Sequence, residues 1–208
     1  MRMRKRKNLT ARMERAADWL VTGESWRSPV PAERRLGAAA RCLVELGCGM
    51  GRFACETAAA DPGATVLGLE RVPDAIVIGM ERAMRENIQN VRFILGDAGN
   101  LGEIFAPGEI NELYIHFCDP WPHWKQAPRR LVARNFLQIY RPLLAPGGTL
   151  TFKTDDAPLF AFAQRELAAE GWTVARRDPD SPPEAAMTEY EIKFRAKGVA
   201  IGALTAAP

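Results

Sequence analysis

The sequence is poor in the residues that build disulfide frameworks and metal centres. Its 208 residues include 4 cysteines and 2 histidines, and no cysteine has a Cys-x-x-Cys partner or a histidine at metal-ligand spacing. This pattern predicts buried, reduced thiols in a cytoplasmic protein and argues against zinc or any other resident metal.

Long apolar runs are also absent. No stretch approaches the roughly eighteen apolar residues of a membrane helix, so we expect no membrane association. The N-terminus is basic without an apolar segment behind it, unlike a secretory signal. The net charge of +3 is mild and does not by itself indicate a polyanion-binding protein. The basic start is either a solvated tail or a nucleic-acid contact; its cations are Arg2, Arg4, Lys5, Arg6 and Lys7.

The chain is long enough for one well-buried core, and we expect a single domain over residues 1–208. Residues 1–35 are predicted to form a basic extension with a short helix, capped by Asn8 or Thr10 and ending near Leu20. Residues 41–208 are predicted to form the core.

Strand and helix patterns alternate along this core. Strands are predicted at 42–46, 65–69, 91–95, 112–117 and 149–153, and helices at 52–60, 73–86, 101–105, 128–140 and 157–170. The last segments, 173–176, 188–194 and 197–204, are all predicted to be β structure. The pattern indicates an α/β fold with a mostly parallel sheet, helices on both faces and an antiparallel C-terminal edge.

A glycine turn follows the first core strand. Its spacing is Gly-x-Gly-x-Gly, whereas a dinucleotide site has Gly-x-Gly-x-x-Gly, and Glu45 stands where it would repel a phosphate. S-adenosylmethionine has no phosphate and carries a sulfonium and an ammonium, so it suits this turn better. We expect Gly47 and Gly49 to bring backbone close to the cofactor, and Glu45 to face its amino-acid end.

Four successive strands each end in an acid, at Glu45, Glu70, Asp97 and Asp119. The carboxyl ends of parallel strands meet at one sheet edge, where α/β folds bind ligands. Glu70 is predicted to accept hydrogen bonds from the ribose hydroxyls. Asp97 is either near the adenine or a helix cap.

The segment Asp119–Pro122, Asp-Pro-Trp-Pro, predicts a stiff loop with few hydrogen-bond donors. It is either a rigid turn with Trp121 in the core, or a substrate loop in which Asp119 holds the target base. Cations in the residues that follow either meet RNA phosphates or form a solvated helix start; they are Lys125, Arg129 and Arg130.

With these motifs the chain resembles the bacterial tRNA (guanine-N7)-methyltransferases, a branch of the Rossmann-like class I S-adenosylmethionine-dependent enzymes. The resemblance covers nearly the whole chain. It is carried by the Arg-Met-Arg-Lys start, Val44–Gly51, Gly68–Glu70, Asn90-Val91 with Asp97-Ala98, Phe117–Pro122, Phe152–Asp155 and Thr188–Glu191 followed by Lys193-Phe194. The glycine motif is generic to methyltransferases, whereas the last three together are highly specific.

The resemblance implies S-adenosylmethionine as cofactor, tRNA as partner, and 7-methylguanosine formed at the variable-loop guanosine as product. It implies cofactor contacts at Glu45, Glu70, Asp97 and Asp119, with Asp119 nearest the chemistry. It also implies RNA or guanine contacts at His123, Asp155, Thr188, Glu189, Tyr190 and Glu191. We expect a monomer or weak homodimer.

One loop departs from the family pattern. The family usually follows Asp-Pro-Trp-Pro with two or three basic residues, a histidine and a lysine, whereas this chain has His123–Pro128, His-Trp-Lys-Gln-Ala-Pro. Because His123 is neutral for much of the time at pH 7, a fixed cation is lost. The change is expected to alter RNA affinity rather than the reaction.

The proposed reaction needs no general base, because guanine N7 has a free lone pair and no proton. Two other functions are considered. An amino-methyltransferase acting on adenine or cytosine uses a similar loop, although here the aromatic residue precedes the second proline. The other is a non-catalytic RNA-binding protein that keeps the fold. The glycine spacing makes a dehydrogenase the weakest interpretation.

Overall fold

The computed structural model describes residues 6–21 and 41–208, which form one eight-stranded sheet. The strands are β1 (Leu20–Val21), β2 (Arg41–Leu46), β3 (Ala64–Glu70), β4 (Val91–Leu95), β5 (Ile110–His116), β6 (Leu144–Thr154), β7 (Thr173–Asp178) and β8 (Gly202–Ala207). Their order is β1-β4-β3-β2-β5-β6-β8-β7. Strands β1 to β6 pair in parallel, and β8 is antiparallel to both β6 and β7.

Helices cover both faces of this sheet. They are α1 (Leu9–Arg15), α2 (Arg52–Ala60), α3 (Pro73–Arg85), α4 (Leu101–Ile104), α5 (Arg134–Tyr140), α6 (Ala157–Ala169) and α7 (Glu189–Arg195). Alternate residues of a strand point to opposite faces, so Val44 packs with α4, α5 and α6 while Leu43 packs with α2 and α3. The predicted parallel sheet with two helical layers and an antiparallel edge is confirmed.

The segment predicted as a strand at 188–194 is instead the start of helix α7, with Thr188 as its N-cap, so the predicted strand was wrong. Thr188 caps α7, because its side-chain oxygen accepts a hydrogen bond from the backbone N–H of Glu191 at 3.0 Å. Acids in the first turn and Lys193 and Arg195 in the last turn match the helix dipole. The alternation of Tyr190, Ile192 and Phe194 resembled a strand, but these local capping interactions decide the outcome.

The predicted helix 128–140 was wrong in its first half. Residues Trp124–Arg129 form a 3₁₀ turn, the chain then extends, and α5 begins only at Arg134. Pro128 lies inside the turn, and Arg130 donates to the carbonyls of Pro120 and Trp121 rather than continuing a helix.

The N-terminal helix is shorter than predicted. It ends at Arg15, and Leu20 lies in β1, paired with Phe93 of β4. Asn8 has a left-handed φ of 54° and makes no side-chain cap. Most of the predicted basic start, residues 1–5, and the segment 22–40 lie outside the described residues.

Candidate active site

A cavity of about 280 Å³ opens at the carboxyl ends of the central parallel strands. Its wall includes an acid from each of three strand ends, Glu70 after β3, Asp97 after β4 and Asp119 after β5, together with Gly47 and Gly49 after β2. The sequence predicted that these residues would meet at one edge, and the topology brings them there.

The glycine turn leaves open space on the cavity side. Gly47 and Gly49 have left-handed φ values of 72° and 55°, and a Cβ on either would meet nothing within 4 Å. Gly51 serves packing instead, because its Cβ would lie 2.7 Å from the Phe93 ring and 2.8 Å from the Gly79 backbone. The first two glycines therefore suit a close ligand, and the third brings α2 onto α3.

Glu70 is fixed by the backbone around it. Its Oε2 accepts from the Gly49 N–H at 3.0 Å, and its Oε1 accepts from the N–H groups of Arg71 and Val72 at 2.8 and 3.0 Å. A carboxylate has about four acceptor positions, so capacity is left for a ligand hydroxyl. Glu70 thus joins the glycine turn to the end of β3 and holds a hydrogen-bond acceptor at the cavity wall.

Asp97 caps a turn, as one of the two alternatives from the sequence predicted, and it also lines the cavity. Its Oδ1 accepts from the Gly99 N–H at 2.8 Å, and its Oδ2 lies 3.2 Å from Arg71 Nη1. Arg71 also lines the cavity, a role that its position after Glu70 did not reveal.

Glu45 is buried beneath the cavity rather than at its wall, with 1% of its surface exposed. Its Oε1 lies 3.6 Å from Nδ1 of the buried His116, while Oε2 and both ring nitrogens have no hydrogen-bond partner among the described residues. Burial, reinforced by the nearby Glu189 and Glu70, raises the pKa of the Glu45 carboxyl well above its usual range.

His116 forms part of the cavity wall. Burial, assisted by the charge of Lys153, lowers its pKa from 6.5 to about 3, so the imidazole is neutral at pH 7. A neutral imidazole supplies no counter-charge for Glu45. The pair is therefore suited to a ligand that brings a cation or hydrogen-bonding groups to this end of the cavity.

Strained backbone flanks Asp119. Phe117 and Trp121 have left-handed φ values of 52° and 42°, which are unfavourable for side chains of this size. Arg130 compensates on one side, donating to the carbonyls of Pro120 and Trp121 at 2.9 and 3.0 Å. The loop is held in this conformation, and Asp119 is presented at the cavity wall.

Trp121 is half-buried in the same wall, with the Arg129 guanidinium 4.2 Å above its ring centre. The tryptophan is therefore neither a core residue nor fully exposed. Arg130 is committed to the loop carbonyls, which leaves Lys125 and Arg129 as the cations of this segment with freer side chains.

Thr188 and the first residues of α7 also form part of the cavity wall. Thr188, Glu189 and Tyr190 all line it. Glu189 lies 3.2 Å from Arg82 of α3, and burial raises the pKa of its carboxyl. The predicted group at 188–190 is thus brought to the cavity, on a helix rather than on the expected strand.

Glu191 points away from the cavity into a buried ion-pair network. Its Oε2 lies 3.3 Å from Nζ of the buried Lys153, and its Oε1 accepts from Arg195 at 2.7 and 2.9 Å. Lys153 also reaches Glu184 at 3.0 Å. Burial alone would raise the pKa of Glu184, but hydrogen bonds and charges from Lys153 and Arg176 lower it overall.

Two further predicted residues do not line the cavity. His123 is exposed, and its Nδ1 accepts from the Lys125 N–H at 3.3 Å. Asp155 is exposed at the end of β6. Sequence reasoning overlooked His116 and Lys153, although a titratable residue at the end of an apolar strand is a signal that a partner or ligand lies close.

Within residues 6–21 and 41–208, no cluster of three His, Cys, Asp or Glu side chains is arranged to hold a metal ion. No helix in the same described part of the chain combines the length and apolar character that a membrane span requires.

The chain matches one protein-family model and several curated proteins. The family model Methyltransf_4, described as "Putative methyltransferase", matches residues 39–204. The tRNA (guanine-N(7)-)-methyltransferase of Macrococcus caseolyticus (strain JCSC5402) is 38% identical over 167 residues, covering 78% of this chain and 80% of the relative. The enzyme of the same name from Lactococcus lactis subsp. cremoris (strain MG1363) is 36% identical over 169 residues, 78% of each chain.

Among solved structures, the 16S rRNA methyltransferase KamB superposes with a TM-score of 0.65 at 16% identity. The match covers 83% of this chain and 90% of that one. At this identity the likeness concerns the fold alone, and it confirms the predicted Rossmann-like architecture.

Proposed function

Because the chain belongs to the tRNA (guanine-N7)-methyltransferase family and so modifies guanine N7 in tRNA, we propose that it binds S-adenosylmethionine in the cavity and methylates the variable-loop guanosine. The observation that carries the proposal is the meeting of Glu70, Asp97 and Asp119 with an open glycine turn above a buried Glu45.

The residues fit this cofactor in charge and shape. Open space above Gly47 and Gly49 admits a ligand close to the backbone, and Glu45 favours an ammonium at that end. The Glu70 carboxylate can accept hydrogen bonds from ribose hydroxyls, and the Asp97 carboxylate can accept a hydrogen bond from the adenine. When bound, the cofactor supplies an electrophilic methyl group on a sulfonium.

Positioning supplies the catalysis in this proposal. Guanine N7 attacks with its own lone pair, so the site needs to orient the base and exclude water rather than remove a proton. Asp119 is held by the strained Phe117–Trp121 loop, where its carboxylate can hold the polar edge of guanine and favour the positive charge that develops on the purine. Thr188, Glu189 and Tyr190 line the same cavity and can help to position the base.

The tRNA is expected to approach over the loop 119–130 and the first turn of α7. We assign RNA contacts to His123 and Asp155 at this edge. Glu191, which belongs to the predicted group 188–191, supports α7 through its buried ion pair with Lys153. We further propose that residues 1–208 form one methyltransferase domain with its core at 41–208, which works in the cytoplasm, where tRNA is modified.

The test is transfer of labelled methyl from S-adenosylmethionine to bulk unmodified tRNA, followed by nucleoside analysis. We expect 7-methylguanosine. Methylated adenosine or cytidine would support the amino-methyltransferase, and cofactor and tRNA binding without any product would support the non-catalytic protein.

Asp119→Ala should lower turnover at least about a hundredfold, because the carboxylate acts on charge that develops in the transition state. The folded protein should be unaffected, since Asp119 is exposed and no hydrogen bond or ion pair of its side chain supports the fold among the described residues. Single-turnover methyl transfer measures the rate, and thermal unfolding is the control. Turnover near that of the wild type would refute the role of Asp119.

A further inference from the structure

Trp124 stands out on the surface of the described part of the chain. Its side chain is 74% exposed, more than that of any other large hydrophobic residue there. Its Cα lies within about 10 Å of that of Trp121, because the two tryptophans are only three positions apart in the chain. Trp121 and Arg129 both line the cavity, so the segment between them leaves the cavity wall and returns to it. The exposed indole therefore lies beside the mouth of the cavity.

The turn that carries Trp124 is rigidly supported. The Gln126 N–H donates to the His123 carbonyl at 2.9 Å, and the Lys125 N–H donates to His123 Nδ1. Asn135 donates to the carbonyl of Pro128 at 3.1 Å, which ties the far end of the turn to α5. A large exposed aromatic on an ordered turn gives up little conformational entropy when a ligand covers it.

The charges around the indole are positive. Lys125 Nζ lies 5.5 Å from the Trp124 ring centre, and the Arg129 guanidinium covers Trp121. Within the described residues neither cation pairs with a carboxylate. The His123 ring lies nearly parallel to the indole, at 21° and 6.2 Å between centres. Aromatic faces beside unpaired cations suit a nucleotide, whose base stacks and whose phosphate is anionic, better than an apolar peptide.

We propose that Trp124 is a stacking platform for an unpaired base of the RNA substrate beside the target guanosine, with Lys125 on the adjoining phosphate. This rests on the proposed function, because it takes RNA as the substrate. The platform also accounts for the altered loop, because stacking can replace the affinity lost with a fixed cation. Stacking tolerates different bases. Unlike a phosphate contact, it releases no counterions, so its own contribution does not add to the salt dependence.

The experiment measures the Kd of unmodified tRNA for the full chain over a range of salt concentrations. Trp124→Ala should weaken binding by about 5- to 150-fold and leave the slope of log Kd against log salt unchanged. Trp124→Phe, which keeps an aromatic face, should recover most of the affinity. Lys125→Ala should instead reduce the slope by about 0.7 to 0.9, the value for one lost phosphate contact.

Val174→Ala is the matched control, because Val174 is an exposed apolar residue on β7, at the far edge of the sheet. It should bind tRNA as the wild type does. Wild-type affinity in Trp124→Ala would overturn the platform, and so would failure of Trp124→Phe to recover binding. A wild-type protein that forms no 7-methylguanosine would overturn the proposed function, which is measured separately from these affinities.

Discussion

At the scale of single residues, Glu45 and His116 form an unusual buried pair. Both are buried, and within the described residues one carboxylate oxygen of Glu45 and both ring nitrogens of His116 lack a hydrogen-bond partner. The pKa of Glu45 is raised and that of His116 is lowered, so each group favours its neutral form. Burying an unpaired polar group costs free energy. The arrangement is reasonable if a ligand group completes it.

Cofactor binding should therefore release protons. An ammonium near Glu45 favours the ionised carboxylate and lowers its raised pKa, so the affinity for S-adenosylmethionine should fall as the pH is lowered, by up to about tenfold per pH unit. Titration calorimetry in buffers of different ionisation enthalpy counts the protons. 5′-Methylthioadenosine, which lacks the amino-acid end, should release none; an equal proton count for the two ligands would contradict this assignment.

At the scale of elements, the turn between β2 and α2 separates ligand binding from folding. Gly49 and Gly51 both have left-handed φ, but only Gly51 is in close contact with Phe93 and Gly79. The two positions are thus natural controls for one another.

Gly49→Ala should cost about 1–2 kcal/mol of stability from its φ alone, and should block the cofactor because its Cβ enters the open space. Gly51→Ala should cost about 1–3 kcal/mol more, because helix α2 must move away from α3. Urea unfolding and cofactor affinity, measured on both variants, check this. Normal cofactor affinity in a folded Gly49→Ala protein would show that the ligand does not approach the turn.

Helix α7 is held in place by buried charge. Lys153 and Glu191 are both fully buried, and their pairing fixes the helix whose first residues line the cavity. Removing Glu191 leaves the exposed Glu184 as the carboxylate that still contacts the buried Lys153 among the described residues, and an exposed partner compensates a buried charge incompletely.

We expect Glu191→Leu to lower the free energy of unfolding by about 3–5 kcal/mol, and the double variant with Lys153→Met to recover part of the loss. Urea unfolding measures both. The exposed pair of Arg85 and Glu86 is the control, and Arg85→Ala should change stability by no more than about 1 kcal/mol. A Glu191→Leu protein as stable as this control would mean that the network does not hold α7.

At the scale of the whole molecule, the features that were predicted correctly from the sequence are those that local sequence patterns determine. The alternation of strands and helices and the acids at the strand ends follow from chain order and strand polarity, which is why Glu70, Asp97 and Asp119 meet as expected. The same reasoning could not place His116 and Lys153, because their significance depends on which strands become neighbours in the folded sheet.

The misassigned segments share a physical cause. Thr188 caps a helix in a segment whose alternating hydrophobicity is typical of a strand. Arg130 donates to carbonyls ten and nine residues before it instead of continuing a helix. In both places hydrogen bonds between a side chain and the backbone outweighed the hydrophobic periodicity.

The strand order carries a consequence for how the protein is made. Strand β8 lies between β6 and β7 although it follows both in the chain. On the ribosome, folding proceeds from the N-terminal side. One edge of the 11-residue β6 therefore remains unpaired until β8 emerges and inserts. A bare strand edge can recruit strands from other nascent chains. The risk of aggregation is thus concentrated late in synthesis, and it ends only when the last strand completes the sheet.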